Sequence, residues 1–302
     1  MDSNVHAVDS GFELKNDVIK FVDCLWKEII FGGHLFATGS VSVIIACATL
    51  FMVQLSWDIL FISYLLFYAI YLYDYSTGAS SDELTNGTRA KYLQCKNKST
   101  CIVAVVSVVL LVLLLTFTNV FITLVSLSIL VLGLLYGSHF KKLTKKIPAF
   151  KNIFVSVVWA FMALFVFVYY SLPITYGAIT LALFIFIRMM NIQILFDVRD
   201  VEGDRADGLM TIPALFGEKK YPFILKLINF TSIVFIAACI IQGILPIFTL
   251  AIVPVFYYGV GYINRVVRSS KNYSSYVFAA CEPIMWSVLI FAGKYIAVLC
   301  TL

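Results

Sequence analysis

Nine stretches of this sequence are apolar for close to the length a helix needs to cross a hydrocarbon layer: about 35–53, 57–75, 101–117, 120–136, 153–171, 174–196, 222–242, 245–262 and 277–298. A spanning helix takes roughly 20 predominantly apolar residues, and inside lipid it must satisfy its own backbone amides. The pattern predicts an all-α, multi-pass integral membrane protein: nine transmembrane helices in a bundle that encloses a cavity. Composition agrees, with 61% hydrophobic and 13% charged residues, against about 25% charged in soluble domains. In a chain of 302 residues, nine crossings leave about 120 positions for loops and tails. No separate soluble domain fits in that remainder. We read 1–302 as a single membrane domain with an N-terminal segment, 1–34, and two acidic connecting loops, 76–100 and 197–221.

The formal charge of +5 matters less than where it sits. Of 22 Lys and Arg residues, 19 fall before span one or in the connections after spans two, four, six and eight, and the short opposite turns carry none. Positive charge is retained on the cytoplasmic side, so the N-terminus is expected in the cytoplasm, the C-terminus outside, and the active site at the cytoplasmic face. In a prokaryote this would be the cell membrane. The basic residues border apolar runs instead of forming a stripe interleaved with aromatics, which argues against nucleic acid as a partner. The seven cysteines show no paired metal-ligand spacing and read as small apolar residues. Asp2, Asp9, Glu13 and Asp17 precede the first long apolar run, so the start lacks the basic character of a secretory signal.

The sharpest local signal is Asp197-Val-Arg-Asp200-Val-Glu-Gly-Asp204-Arg-Ala-Asp207, directly after the sixth apolar run. Positions i, i+3 and i+7 share a helical face, so Asp197, Asp200 and Asp204 can present carboxylates toward one point. Gathered anions repel and need a countercharge. Magnesium, which takes a few carboxylates and commonly bridges to phosphates, suits that role. Pairing with Arg199 and Arg205 in a solvated loop is the simpler alternative. A second segment, Asp74 through Asp82 and Glu83, straddles the end of span two. On a continuing helix Asp74 and Asp82 lie about 80° apart around the axis, and Asp74 closes an apolar run where an unpaired carboxylate is costly. Two such faces could sandwich a metal-diphosphate.

A diphosphate also needs cationic contacts. Lys141, Lys142, Lys145, Lys146 and Lys151 follow span four, and Arg89 lies seven residues after Asp82. A basic inner loop is also what topology alone demands. Arg188, Asn191 and Gln193 are polar groups within span six, expected to face the bundle interior. Tyrosines 64, 68, 71, 73 and 75 crowd the inner half of span two; an interfacial aromatic belt accounts for most of them.

With these residues in view, the chain resembles the UbiA superfamily of intramembrane aromatic and lipid prenyltransferases. The tract DVRDVEGDRADGLMTIPALFG, residues 197–217, is similar to the family's second aspartate-rich segment with its trailing Gly208, Thr211 and Pro213. The resemblance implies that Asp197, Asp200 and Asp204 hold magnesium below a diphosphate. The first segment departs from the pattern: Asp74 stands where Asn is usual, Gly78 replaces an aspartate, and Asp82 matches the last one. Tyr136, Lys141, Lys142 and the tract KKIPAFKNIF resemble the loop whose basic residues touch diphosphate.

The expected site therefore comprises Asp74, Asp82, Asp197 and Asp200 as catalytic residues, with Asp204 joining them on magnesium. Arg89, Lys142, Lys145, Lys146 and Arg205 are expected on the diphosphate. The expected activity is magnesium-dependent ionisation of a prenyl diphosphate and transfer of the prenyl group to a lipid-soluble acceptor amid membrane lipids. Two alternatives stand beside it. One is a terpene cyclase that quenches the cation internally; the resemblance allows this because family members with a small residue at the position of Gly78 include such cyclases. The other is a non-enzymatic assembly factor or transporter, disfavoured because the polar residues cluster at one interface and not at mid-membrane.

Overall fold

The computed structural model describes residues 3–78, 87–95, 99–270 and 272–300, and all regular structure among them is helical. Two helices are not spans: α1 (Ser3–Phe31) and the short α4 (Gly87–Cys95). The bundle itself consists of α2 (His34–Phe51), α3 (Trp57–Gly78), α5 (Ser99–Phe117), α6 (Val120–Tyr136), α7 (Phe150–Tyr169), α8 (Tyr176–Ala206), α9 (Ile212–Ile241), α10 (Pro254–Arg268) and α11 (Tyr273–Leu299). Among the described residues eight helices are long and apolar enough to cross a membrane, the one containing α10 counted with its preceding 3-10 turns from Ile247. The remaining apolar run, α6, is a 17-residue helix.

The ends of these helices follow their sequences. Asn119 caps α6 by accepting the Ile122 amide at 2.9 Å, and Thr175 caps α8 by accepting that of Ala178 at 3.2 Å. Each cap removes one orphan donor of the first turn, worth about 1 kcal/mol. Helix α9 is broken at Gly217, whose φ of 70° no other residue type adopts cheaply. The acidic segment assigned to a loop from 197 is instead the last three turns of α8, which runs on to Ala206. It remains helical because it packs along α7 and is not free in water.

Lipid exposure explains the surface. On α5 the residues Val105, Val108, Val112 and Leu115 stay exposed along one stripe, while Val103, Leu110 and Leu114 turn inward. On α1, Val18, Val22, Leu25 and Ile29 also form an exposed stripe. That spacing gives α1 one apolar face. Glu28 fastens α1 to the bundle: it accepts from the Tyr92 hydroxyl and pairs with His34 Nε2 at 3.3 Å.

Inside, α8, α9, α10 and α11 meet around Arg188, only 1% exposed. Its guanidinium donates to Glu282 through Nε at 2.7 Å and through a second nitrogen at 2.5 Å, and also to Asn229 and to Ser232 at 3.1 Å. Tyr262 donates to the same Glu282 carboxylate at 2.8 Å, and the Trp286 indole at 3.2 Å. An intramembrane charge pair of this kind is tolerable because nearly every donor is matched. Room for it comes from Gly259, where a Cβ would lie 2.4 Å from Asn229 Oδ1.

Candidate active site

At the end of the bundle where α3 and α8 finish and α7 and α11 begin, the helices part around a cavity of about 210 Å³. Its mouth carries charge and its body is aromatic. Helix α3 contributes Asp74, Tyr71 and Tyr75; α8 contributes Asp197, Arg199 and Asp200; Arg89, Lys141 and Lys151 complete the charged rim. Aspartates from two different helices thus border one space.

Lys151, at the start of α7, is buried and anchors the α8 side. Its ammonium lies 2.8 Å from Asp197 Oδ1 and 2.9 and 3.1 Å from the two oxygens of Asp204. Asn152, the next residue, donates its amide to Asp197 Oδ2 at 2.8 Å. Asp200 is held differently, by both arms of Arg199 at 2.8 and 2.9 Å. Helical geometry explains the split. Seven residues return Asp204 to within about 20° of Asp197, while Asp200 lies about 60° to the side. Arg199 also lies over the Tyr276 ring at 5.4 Å, and Arg89 over Tyr75 at 4.5 Å, so two of the rim cations rest on aromatic faces.

Lys151 is positioned from outside the cavity by main-chain bonds. The connection after α6 forms 3-10 turns over Phe140–Lys145, and its Thr144 carbonyl accepts the Met210 amide at 3.0 Å. The Ala149 amide donates to the Met210 carbonyl at 2.9 Å, and Thr144 Oγ1 accepts the Lys151 amide at 3.2 Å. Gly208, with φ of 70°, makes the turn that brings Met210 there.

The other expected site residues fall as follows. Asp74 lies on the cavity, and a Cβ at Gly137 would sit 3.2 Å from its Oδ1. Gly78 lines the same space; Asp82 lies outside the described residues. Asp204 is turned onto Lys151 and is not part of the lining. Arg89 borders the cavity, while Lys142, Lys145, Lys146 and Arg205 are exposed and off its lining. Of the loop lysines, Lys141 and Lys151 reach it. Asn152 went unremarked in the sequence; its one signal was a polar pair, Lys-Asn, opening an otherwise apolar run. Of the polar residues in span six, Gln193 lines the cavity, whereas Arg188 and Asn191 are buried elsewhere.

The sequence profile of the UbiA prenyltransferase family matches residues 94–289. The chain belongs to the UbiA prenyltransferase family. No curated protein matches the sequence. Among solved structures, a UbiA homologue from Aeropyrum pernix K1 in its apo form is similar at 16% identity, with a TM-score of 0.66 over 86% of this chain and 98% of that one. A structure from work on digeranylgeranylglyceryl phosphate synthase in membranes is similar at 15% identity, with a TM-score of 0.56 over 91% and 98% of the two chains. These likenesses establish the UbiA fold for this bundle.

Among the described residues no three His, Cys, Asp or Glu side chains cluster as a ready metal cage. The donor chemistry nevertheless suits magnesium: the anionic groups at the mouth are carboxylates, and among the described residues no sulfur or imidazole lines the cavity.

Proposed function

We propose that this UbiA protein is a magnesium-dependent intramembrane prenyltransferase, with 1–302 working as one domain, that ionises a prenyl diphosphate and passes the prenyl group to a lipid-soluble acceptor. The observation that carries the reading is the division of the cavity. Four cations and three aspartates stand at its mouth, and aromatic rings line its body. A diphosphate fits the first environment and an isoprenoid the second.

In the reaction the allylic C–O bond breaks and its electron pair leaves with the diphosphate. Arg89, Lys141, Lys151 and Arg199 stabilise the charge growing on those oxygens. Asp74, Asp197 and Asp200, with Asp82, would hold magnesium, which when bound supplies further charge neutralisation at the leaving group. Lys151 and Asn152 fix the orientation of Asp197. The allylic cation would lie beneath, beside Tyr71, Tyr75 and Trp159, whose ring faces offer negative potential. The acceptor attacks the cation, the new bond forms, and the acceptor loses a proton. The mouth is assigned to the cytoplasmic face, with the N-terminus inside, on the distribution of lysine and arginine.

A second reading, cyclisation without an acceptor, draws on Gly78, which lines the cavity where the family usually places an aspartate. One assay separates the two. The purified protein in detergent is incubated with prenyl diphosphates, magnesium and membrane lipid extract, and products are identified by mass spectrometry. A prenylated lipid supports transfer, and a cyclic hydrocarbon supports cyclisation. No diphosphate release at any chain length removes both.

A further inference from the structure

Helix α4 is nine residues long, short of the roughly 12–15 that an isolated helix needs to persist in water. Its place beside the cavity must therefore come from what it touches. It carries Arg89, whose guanidinium lies over the Tyr75 ring at 4.5 Å and borders the cavity. Three residues on, and so on the same side of the helix, is Tyr92. Its ring lies 5.9 Å from that of Phe31, and its hydroxyl donates to Glu28 Oε2, both partners being at the end of α1.

Glu28 is itself held. Its other oxygen, Oε1, is 3.3 Å from Nε2 of His34, the first residue of α2. His34 is in turn fixed from α3, by the Tyr64 hydroxyl 2.5 Å from Nδ1 and by the Tyr68 ring stacked at 4.4 Å. The chain between these residues has little slack. A Cβ at Gly32 would lie 2.6 Å from Glu28 Oε1, and one at Gly33, where φ is 90°, would lie 3.2 Å from the Leu72 nitrogen. The end of α1 is thus wedged against α3 two residues from Asp74, with Ile30 in the cavity lining.

We infer that Glu28 is a positioning residue: through the Tyr92 hydroxyl it fixes α4 so that Arg89 stays on the cavity, and α1 thereby completes the diphosphate site. This rests on the prenyltransferase reading above. One carboxylate spans the two elements, with His34 on the bundle at one oxygen and Tyr92 on α4 at the other. Without that bond the Arg89 charge remains, but its helix is free to shift, and a hydrogen bond weakens steeply once misaligned. Neither Glu28 nor Tyr92 lines the cavity. Their loss should therefore appear where the loss of Arg89 appears, in KM for the prenyl diphosphate.

The test uses the full chain in detergent with magnesium, membrane lipid extract and whichever of geranyl, farnesyl and geranylgeranyl diphosphate the wild type turns over. It reads KM and kcat for diphosphate release and, without turnover, the Kd for inorganic diphosphate with magnesium. Tyr92→Phe, which keeps the ring on Phe31, should raise KM and Kd at least threefold and leave kcat within twofold. Glu28→Ala should do the same from the other side of the bond, and Glu28→Gln, which keeps an oxygen to accept the Tyr92 hydroxyl, should stay nearer the wild type. In the Arg89→Ala background Tyr92→Phe should add nothing, since residues acting through one contact are not additive. Size-exclusion behaviour certifies folding, and if one of Tyr92→Phe and Glu28→Ala fails to fold, the other decides. Folded variants with unchanged KM and Kd, a penalty that multiplies with that of Arg89→Ala, or failure of both variants to fold shows a bond that serves the fold alone. The inference then falls and the prenyltransferase stands. Diphosphate binding without release from any prenyl diphosphate overturns the prenyltransferase reading, and the Kd ratios then decide the role of Glu28. Neither binding nor release in the wild type overturns both.

Discussion

Among the described residues, Arg188 and Lys151 are buried cations with carboxylate partners, and they differ in what surrounds them. Arg188 spends its donors on Glu282, Asn229 and Ser232 in a packed space between four helices. Lys151 spends its donors on Asp197 and Asp204 beside an open cavity, with Asp74, Asp200, Arg89 and Lys141 facing the same space. The first cluster is closed on itself and serves to join α8 to α11. The second holds its charges at the edge of a space that a ligand could fill. Burial of charge is common to both; only access to the cavity separates structure from chemistry.

That contrast can be broken experimentally. The largest effect is expected at the open cluster: Asp197→Ala and Asp200→Ala should each lower diphosphate release by about 10³-fold, the order found when a group stabilising transition-state charge is removed. Expression should stay near wild type; Asp200→Ala should leave the melting temperature nearly unchanged, while Asp197→Ala, which strands the Asn152 amide but leaves Lys151 paired with Asp204, should lower it modestly, and retained activity in either variant would break the assignment. Glu282→Ala should do the opposite. It strands the Arg188 guanidinium, a loss of about 3–5 kcal/mol for a broken buried pair. The readouts are a large fall in melting temperature and normal activity per folded molecule at low temperature. Gly259→Ala pushes a methyl into Asn229 and should destabilise by about 1–3 kcal/mol, again visible in melting and not in KM.

Smaller effects sharpen the boundary of the open cluster. Arg89→Ala should raise KM for a prenyl diphosphate about tenfold, the equivalent of one charged hydrogen bond. Replacing Lys142, Lys145 and Lys146 together by alanine should change kcat/KM less than about twofold, because exposed charges are screened by solvent. A tenfold loss in that triple variant would show that the rim extends over the loop after α6.

The bundle was legible in the sequence because lipid imposes a length and a polarity that every span must obey. Among the described residues the nine apolar runs reappear as eight helices long and apolar enough to cross a membrane and the shorter α6. The face expected to carry Asp197, Asp200 and Asp204 together was legible in part, since helical periodicity is local: Asp197 and Asp204 converge on Lys151, whereas Asp200 is drawn aside to Arg199. Their partner was not. Which of five neighbouring lysines turns inward is decided by the bonds from Thr144 and Ala149 to Met210, more than sixty residues along the chain from either. Arg188 carried a signal, a cation within an apolar run, but Glu282 is 94 residues away and no local pattern connects them. Helix α1 is a different case: its apolar stripe at residues 18, 22, 25 and 29 is readable in the sequence, but no local pattern says what it rests against.

The main-chain bonds joining Met210 to Thr144 and Ala149 act as a hasp behind the charged rim. Lys151 and Asp204 sit on opposite leaves of it, so their ion pair cannot part unless two peptide hydrogen bonds let go. Whatever enters the cavity therefore meets Asp197 on a backing of fixed position.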